Sequence, residues 1–317
     1  MPETVFESKF VTAVEEVDFP SERWRYLLSA NDVNNNGVAE KVQGCGFTAR
    51  QVQAYVNLIN SQTTEFLIST YLCGGVNAKV ACSALQIRTS KDDKDKLIRL
   101  LDSPIAAERE LAVRAFTYRL GESFESEIVP KLYELSKIEK EPAVLESLCY
   151  AMYHLGAQES VSHLKHLVSH SDPAVRFALA ACFFGTDDQD GVNCLMALSR
   201  DEDPEVRNWA VTGLGSALDD LEDQLPLKNI FVDRLADTER FTRLEAISAL
   251  SKFKDKDERA LSVLIAELNT DPVPLIAVES AISFASPELR SHLVKLLDRT
   301  EDDPIIPVIK AALEVCQ

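Results

Sequence analysis

Apolar and polar positions alternate along most of this chain with the period of amphipathic helices, and the helices come in pairs. A typical pair starts at an Asp-Pro step. Asp caps the helix and Pro occupies its first turn, as in Asp203-Pro204-Glu205-Val206-Arg207-Asn208-Trp209-Ala210-Val211. A polar, Asp- and Gly-rich turn follows. A second helix then carries an apolar stripe such as Val161, Leu164, Leu167 and Val168, at i, i+3, i+6 and i+7. Neither helix can bury its apolar face alone, so neighbouring pairs must stack into one core.

The unit repeats. Asp172-Pro173-Ala174-Val175-Arg176 returns 31 residues later as Asp203-Pro204-Glu205-Val206-Arg207. Looser copies are Ser103-Pro104, Glu141-Pro142, Asp271-Pro272 and Asp303-Pro304, with a degenerate one around Thr238–Arg243. This spacing predicts first helices near 107–120, 142–154, 173–184, 205–218, 239–252, 274–285 and 304–316. Second helices are predicted near 94–101, 126–136, 159–168, 190–198, 226–236, 258–268 and 287–298. The fold class expected is all-α: an alpha-alpha superhelix, or solenoid, over residues 91–317, with an atypical helical N-terminal cap over residues 1–90. Residues 77–101 read as a degenerate first repeat. In the cap, Phe6–Val17, Pro20–Ala30 and Thr48–Asn60 read as helices around the loop Asn31–Gly37.

The repeated Asp-Pro-x-Val-Arg opening of an alanine-rich helix resembles HEAT repeats, especially the short kind of the bacterial PBS-lyase-like HEAT proteins. Matching residues are Asp172–Arg176 and Asp203–Ala210, with partial matches at Arg109–Ala112 and Arg243–Ala246. The resemblance implies a HEAT-like solenoid that binds other proteins. Leu145, Leu275 and Pro307 stand where Arg176 is expected, which interrupts an Asp/Arg ladder between repeats. The stretch Asp203–Ala210 is also similar to bacterial HEAT proteins encoded beside Rhs-type polymorphic toxins, which implies an immunity role.

Charge narrows the partners. The chain of 317 residues has a net charge of −18. Residues 1–90 hold 7 basic and 9 acidic side chains, and residues 91–317 hold 26 and 42. Such a field repels phosphate backbones and anionic membranes and attracts basic proteins. No run of about 18 apolar residues suggests a membrane span. Met1-Pro2-Glu3-Thr4 lacks the apolar region of a secretory signal. Seven scattered cysteines, none in a CxxC pair, fit reduced, buried thiols in a cytoplasmic protein.

No catalytic motif emerges. Phosphate-cradling and nucleophile-elbow patterns are absent. His163 and His166 share a helix without a ligand-spaced carboxylate, and no His-Glu dipeptide of the deoxyhypusine hydroxylase type occurs. Asp32-x-Asn34-x-Asn36-Gly37 begins like an EF-hand loop but ends at Gln43, which cannot clamp calcium. No metal or cofactor is expected. Arg109, Arg176, Arg207 and Arg243 recur at one helix position and read as inter-repeat contacts. Trp209 and Phe177 read as packing residues.

The candidate partner-binding residues are the acidic turns between first and second helices: Asp187, Asp188 and Asp190; Asp219, Asp220, Glu222 and Asp223; Asp257 and Glu258. Tyr133, off the stripe of its helix, is added as a groove residue. The function expected is that of a non-catalytic immunity or inhibitor protein masking a basic toxin. The alternatives are a HEAT subunit or chaperone of a bilin lyase-type system, and a general protein scaffold.

Overall fold

Several helix starts in this chain are set by side chains that satisfy the free N–H groups of the first turn. The computed structural model describes residues 62–317 apart from 87, 89, 118–121, 157–158, 219–224 and 301–303. Every described regular element is helical. The helices expected at Phe6–Val17, Pro20–Ala30 and Thr48–Asn60, and the loop after Ala30, lie outside the described residues. The chain divides between Gln158 and Glu159 into two compact units.

The first unit contains α1 (Thr64–Leu72), α2 (Val76–Gln86), α3 (Lys91–Leu100), α4 (Ala106–Phe116), α5 (Glu122–Ile138) and α6 (Pro142–His154). α2, α4 and α6 are first helices and pack in succession, while α3 and α5 are second helices. α1 packs against α2, and α3 packs against α4. The Gln86 side-chain amide donates to the Arg114 carbonyl at 2.8 Å, tying α2 to α4. The core between the layers is apolar, with Leu85, Leu97, Leu111, Phe116, Ile128 and Leu148 fully buried.

The second unit contains α7 (Ser160–Leu164) continued by a 3₁₀ segment (Lys165–Ser169), α8 (Pro173–Cys182), α9 (Gln189–Leu198), α10 (Pro204–Ala217), α11 (Leu225–Arg234) and α12 (Arg240–Lys252). It ends with α13 (Glu258–Leu268), α14 (Leu275–Phe284), a short 3₁₀ turn, α15 (Arg290–Arg299) and α16 (Ile306–Val315). The first helices α8, α10, α12, α14 and α16 pack side by side, with the second helices forming the other layer. Asp172 and Asp203 cap α8 and α10, each with Pro next in sequence. Asp188 and Asp257 cap α9 and α13 in the same way. Leu179, Leu195, Leu214, Phe231, Ile247 and Leu264 form the core.

Close packing also selects a glycine. Gly191 is buried in the first turn of α9, and a Cβ there would fall 2.7 Å from Thr186 Cγ2. That position closes the turn Thr186–Asp190 against the start of its helix.

Candidate interaction surfaces

Within each unit, the recurrent arginines tie the place where a second helix hands over to the next first helix. Arg176 forks onto Asp201 at 2.7 and 2.8 Å. Arg207 forks onto Asp237 at 2.9 Å through both nitrogens. Arg109 does the same to Glu139 at 2.7 and 2.9 Å. Arg243 and Arg240 share Glu267, at 3.1 and 2.8 Å. The remaining Nη1 of Arg109, Arg176, Arg207 and Arg243 turns back to the loop before its own helix, for example to the carbonyls of Asp201 and Glu202 from Arg207.

The acids of this ladder were not among the residues singled out above. Glu139, Asp201 and Asp237 each stand two positions before a helix cap, and each carboxylate also accepts the cap residue's N–H. Glu139 takes that of Glu141, Asp201 that of Asp203, and Asp237 that of Glu239. His170 fills the position before α8, its Nδ1 accepting from Asp172 N–H at 3.1 Å. The recurrence of an acid at this position was the available sequence signal. Burial alone would push the carboxyls of Asp201, Asp237 and Glu139 up, but the arginine and backbone hydrogen bonds hold all three below the usual carboxylate range. Where Leu275 replaces the arginine, the ladder changes hands. Arg299, at the end of α15, donates to the carbonyls of Leu268 and Thr270 at 2.9 and 2.6 Å.

The acidic turns lie on the opposite edge. Asp187, Asp188 and Asp190 are exposed, as is Glu258, while Asp257 is half-buried. Part of their charge is used internally. Asp188 caps α9, Asp190 meets Lys165 at 2.6 Å, and Asp257 pairs with Arg259 at 2.7 Å. Asp255, in the same turn as Asp257, meets Lys228 at 3.0 Å. Lys165 and Lys228 come from the preceding second-helix layer, so this edge is stapled between repeats as well. Asp219, Asp220, Glu222 and Asp223 lie outside the described residues.

Tyr133 is corrected. It retains 9% exposure and belongs to the core, not to a groove. α5 is covered over a wider arc than its leucine stripe, burying Ile128, Leu132, Tyr133, Leu135 and Ser136. The open face of α5 instead presents Pro130, Lys131, Glu134 and Ile138 to a groove of about 520 Å³, floored by Ile98 and Leu101.

Trp209 packs on Phe177 as expected but is not fully covered. It is 37% exposed and stands on the outer face of the first-helix layer, edge-on to Phe177 and Phe184 at 5.5 and 6.2 Å. Among the histidines, His163 Nε2 lies 3.7 Å from Glu159, a carboxylate one turn away that the spacing argument overlooked. No group of three His, Cys, Asp or Glu side chains converges among the described residues. Cys182, Cys194 and Cys316 are buried free thiols, and burial pushes Cys182 up to about 12. No described helix is long and apolar enough to cross a membrane.

These features have relatives. Residues 164–227 match the family model for HEAT repeats. Over 132 residues, 42% of the chain, the sequence is 33% identical to Protein YibA of Escherichia coli strain K12, and equally to Protein YibA of Escherichia coli O157:H7. The match covers 45% of those proteins, so the chain spans less than half the length of the curated relatives it matches. The X-ray structure of YibA from Escherichia coli aligns with a TM-score of 0.69 at 21% identity, covering 84% of this chain and 98% of that one. The shared fold is the HEAT-like helical repeat.

Proposed function

We propose that this chain is a non-catalytic, cytosolic protein-binding module that captures a basic protein and masks its working surface, as an immunity or inhibitor protein does. The observation that carries this reading is where the charge sits. The second unit, residues 159–317, holds 29 acidic and 16 basic side chains, against 22 and 17 in residues 1–158. A field of that sign accelerates encounter with a basic protein, and desolvated contacts then slow its release. Within the unit, Asp187, Asp188, Asp190 and Glu258 stand in solvent on one edge. Asp257 supports the same edge, and Asp219, Asp220, Glu222 and Asp223 fall in the corresponding turn by sequence. HEAT-like repeats suit such a role because successive pairs offer long, regular surfaces.

The test is capture from the host lysate at low and at high salt, using the full chain and a variant with Asp187, Asp188 and Glu258 changed to Asn, Asn and Gln. The captured protein is identified by mass spectrometry, then expressed with and without this chain. The expected result is a basic protein, released by salt, held weakly by the variant, and harmful to cells only when this chain is absent. An acidic protein, or capture indifferent to salt and to the variant, overturns the reading.

A further inference from the structure

The outer face of the first-helix layer carries two exposed aromatic residues in the most acidic part of the molecule. Trp209 on α10 is 37% exposed and Phe241 on α12 is 64% exposed. Each has a carboxylate one helical turn away on the same face: Glu205 precedes Trp209 by four residues, and Glu245 follows Phe241 by four. The two helices are neighbours, and a Cβ on Gly215 would lie 3.4 Å from that of Ala249. That register sets Glu245 level with Val211 and Phe241 level with Arg207, so both pairs fall within the first two turns of their helices.

Glu205 is exposed, Glu245 is half-buried, and among the described residues neither forms an ion pair. Burial pushes the Glu245 carboxyl up, with only a partial offset from Lys252. Asn208, between Glu205 and Trp209, holds a buried side-chain oxygen with no hydrogen-bond donor among the described residues. The Trp209 ring is braced edge-on by Phe177 and Phe184, which fixes its orientation and lowers the entropy lost on binding.

We propose that this face docks arginine side chains of the basic partner, a guanidinium stacking on the Trp209 indole while its N–H groups donate to Glu205, with Phe241 and Glu245 offering the same pair of contacts on α12. The chemistry selects arginine over lysine. A guanidinium is planar and weakly hydrated, so it stacks on an indole and keeps its edge free for a carboxylate. An ammonium is a compact, strongly hydrated charge and gains little from the ring. This inference rests on the basic-partner reading and adds where, and through which side chain, that partner is gripped.

The experiment uses the full chain with Trp24→Phe, which leaves Trp209 as the one tryptophan of the sequence. Labelled nona-arginine and nona-lysine peptides are titrated by anisotropy, and Trp209 emission is followed in parallel. Nona-arginine is expected to bind about fivefold more tightly than nona-lysine, and to quench Trp209. Trp209→Ala should shrink the preference, and Trp209→Ala with Phe241→Ala should erase it, while nona-lysine binding stays. Glu205→Gln removes an exposed carboxylate without touching the packing of Trp209, so it reports even if the alanine variant folds poorly. It should weaken nona-arginine binding about threefold, roughly the worth of one exposed charged contact. Equal affinities for the two peptides, or binding that leaves Trp209 emission unchanged, overturns the inference and leaves the basic-partner reading standing. Failure of both peptides to bind overturns both.

Discussion

The carboxylate of Asp237 serves three donors at once. It takes both arms of Arg207 at 2.9 Å, Arg234 at 3.3 Å and the Glu239 N–H at 3.0 Å, with its side chain only 2% exposed. Asp237→Asn would keep the shape but leave two guanidinium groups near a neutral amide in a dry site. A cost of about 3 kcal/mol is expected, the lower end for breaking a buried pair, and urea unfolding reads it directly. Asp187→Asn is the control. That residue is exposed, and the change should stay within about 0.5 kcal/mol. The same carboxylates set an acid limit. Glu139, Asp201 and Asp237 are held below the usual range in the fold, whereas in the unfolded chain they protonate near pH 4. The unfolded state therefore binds protons first as pH falls. The ladder's contribution is complete above about pH 5 and is lost as pH drops through the lowered folded values. The stability gap between the native chain and Asp237→Asn should close between pH 5 and pH 2 in thermal melts. A gap constant with pH would mean that the charge of Asp237 is not what holds Arg207.

At the scale of the element, most helices were legible because their signals are local. Asp172-Pro173 and Asp203-Pro204 mark the starts of α8 and α10, and Pro142 marks that of α6. The second helix expected at 159–168 is a five-residue α-helix followed by a 3₁₀ segment. Its stripe of Val161, Leu164, Leu167 and Val168 reads as that of one regular helix, and the tightening after Leu164 keeps Val161, Leu164 and Leu167, spaced by three, on the buried side. Less legible was what long-range packing decides. Tyr133 is buried because α5 is covered over a wide arc, and Trp209 is exposed because only its edge-on partners reach it. Neither fact is written in helical period. The ladder acids were hidden for another reason: their partners lie about 25 to 30 residues away, one repeat along. Gly191 shows packing overriding propensity. Alanine is the better helix former, yet its methyl would meet Thr186 at 2.7 Å. Gly191→Ala should cost about 1–3 kcal/mol through overpacking, and a circular-dichroism melt that rises instead of falling would show that the Thr186 turn yields.

For the whole molecule, charge and fold have separate tasks. The two edges of the second unit hold ion pairs between repeats, and those pairs are spent on stacking. Arg176 with Asp201 and Lys165 with Asp190 are of this kind. What remains available to a partner is the excess, 29 acidic against 16 basic side chains in residues 159–317. An excess distributed in this way acts at a distance, so it should govern how fast a basic partner arrives more than how long it stays. Raising ionic strength from 0.01 M to 0.15 M shortens the screening length from about 30 Å to about 8 Å. The association rate with the captured basic protein should fall at least tenfold over that range, while the dissociation rate changes little. Neutralising Asp187, Asp188 and Glu258 together should lower the association rate and flatten its salt dependence. Trp209→Ala should raise the dissociation rate and leave that dependence intact. Stopped-flow mixing with the captured protein separates the two. If the acidic variant acts only on dissociation, those carboxylates are contact residues, and the steering field comes from elsewhere in the unit.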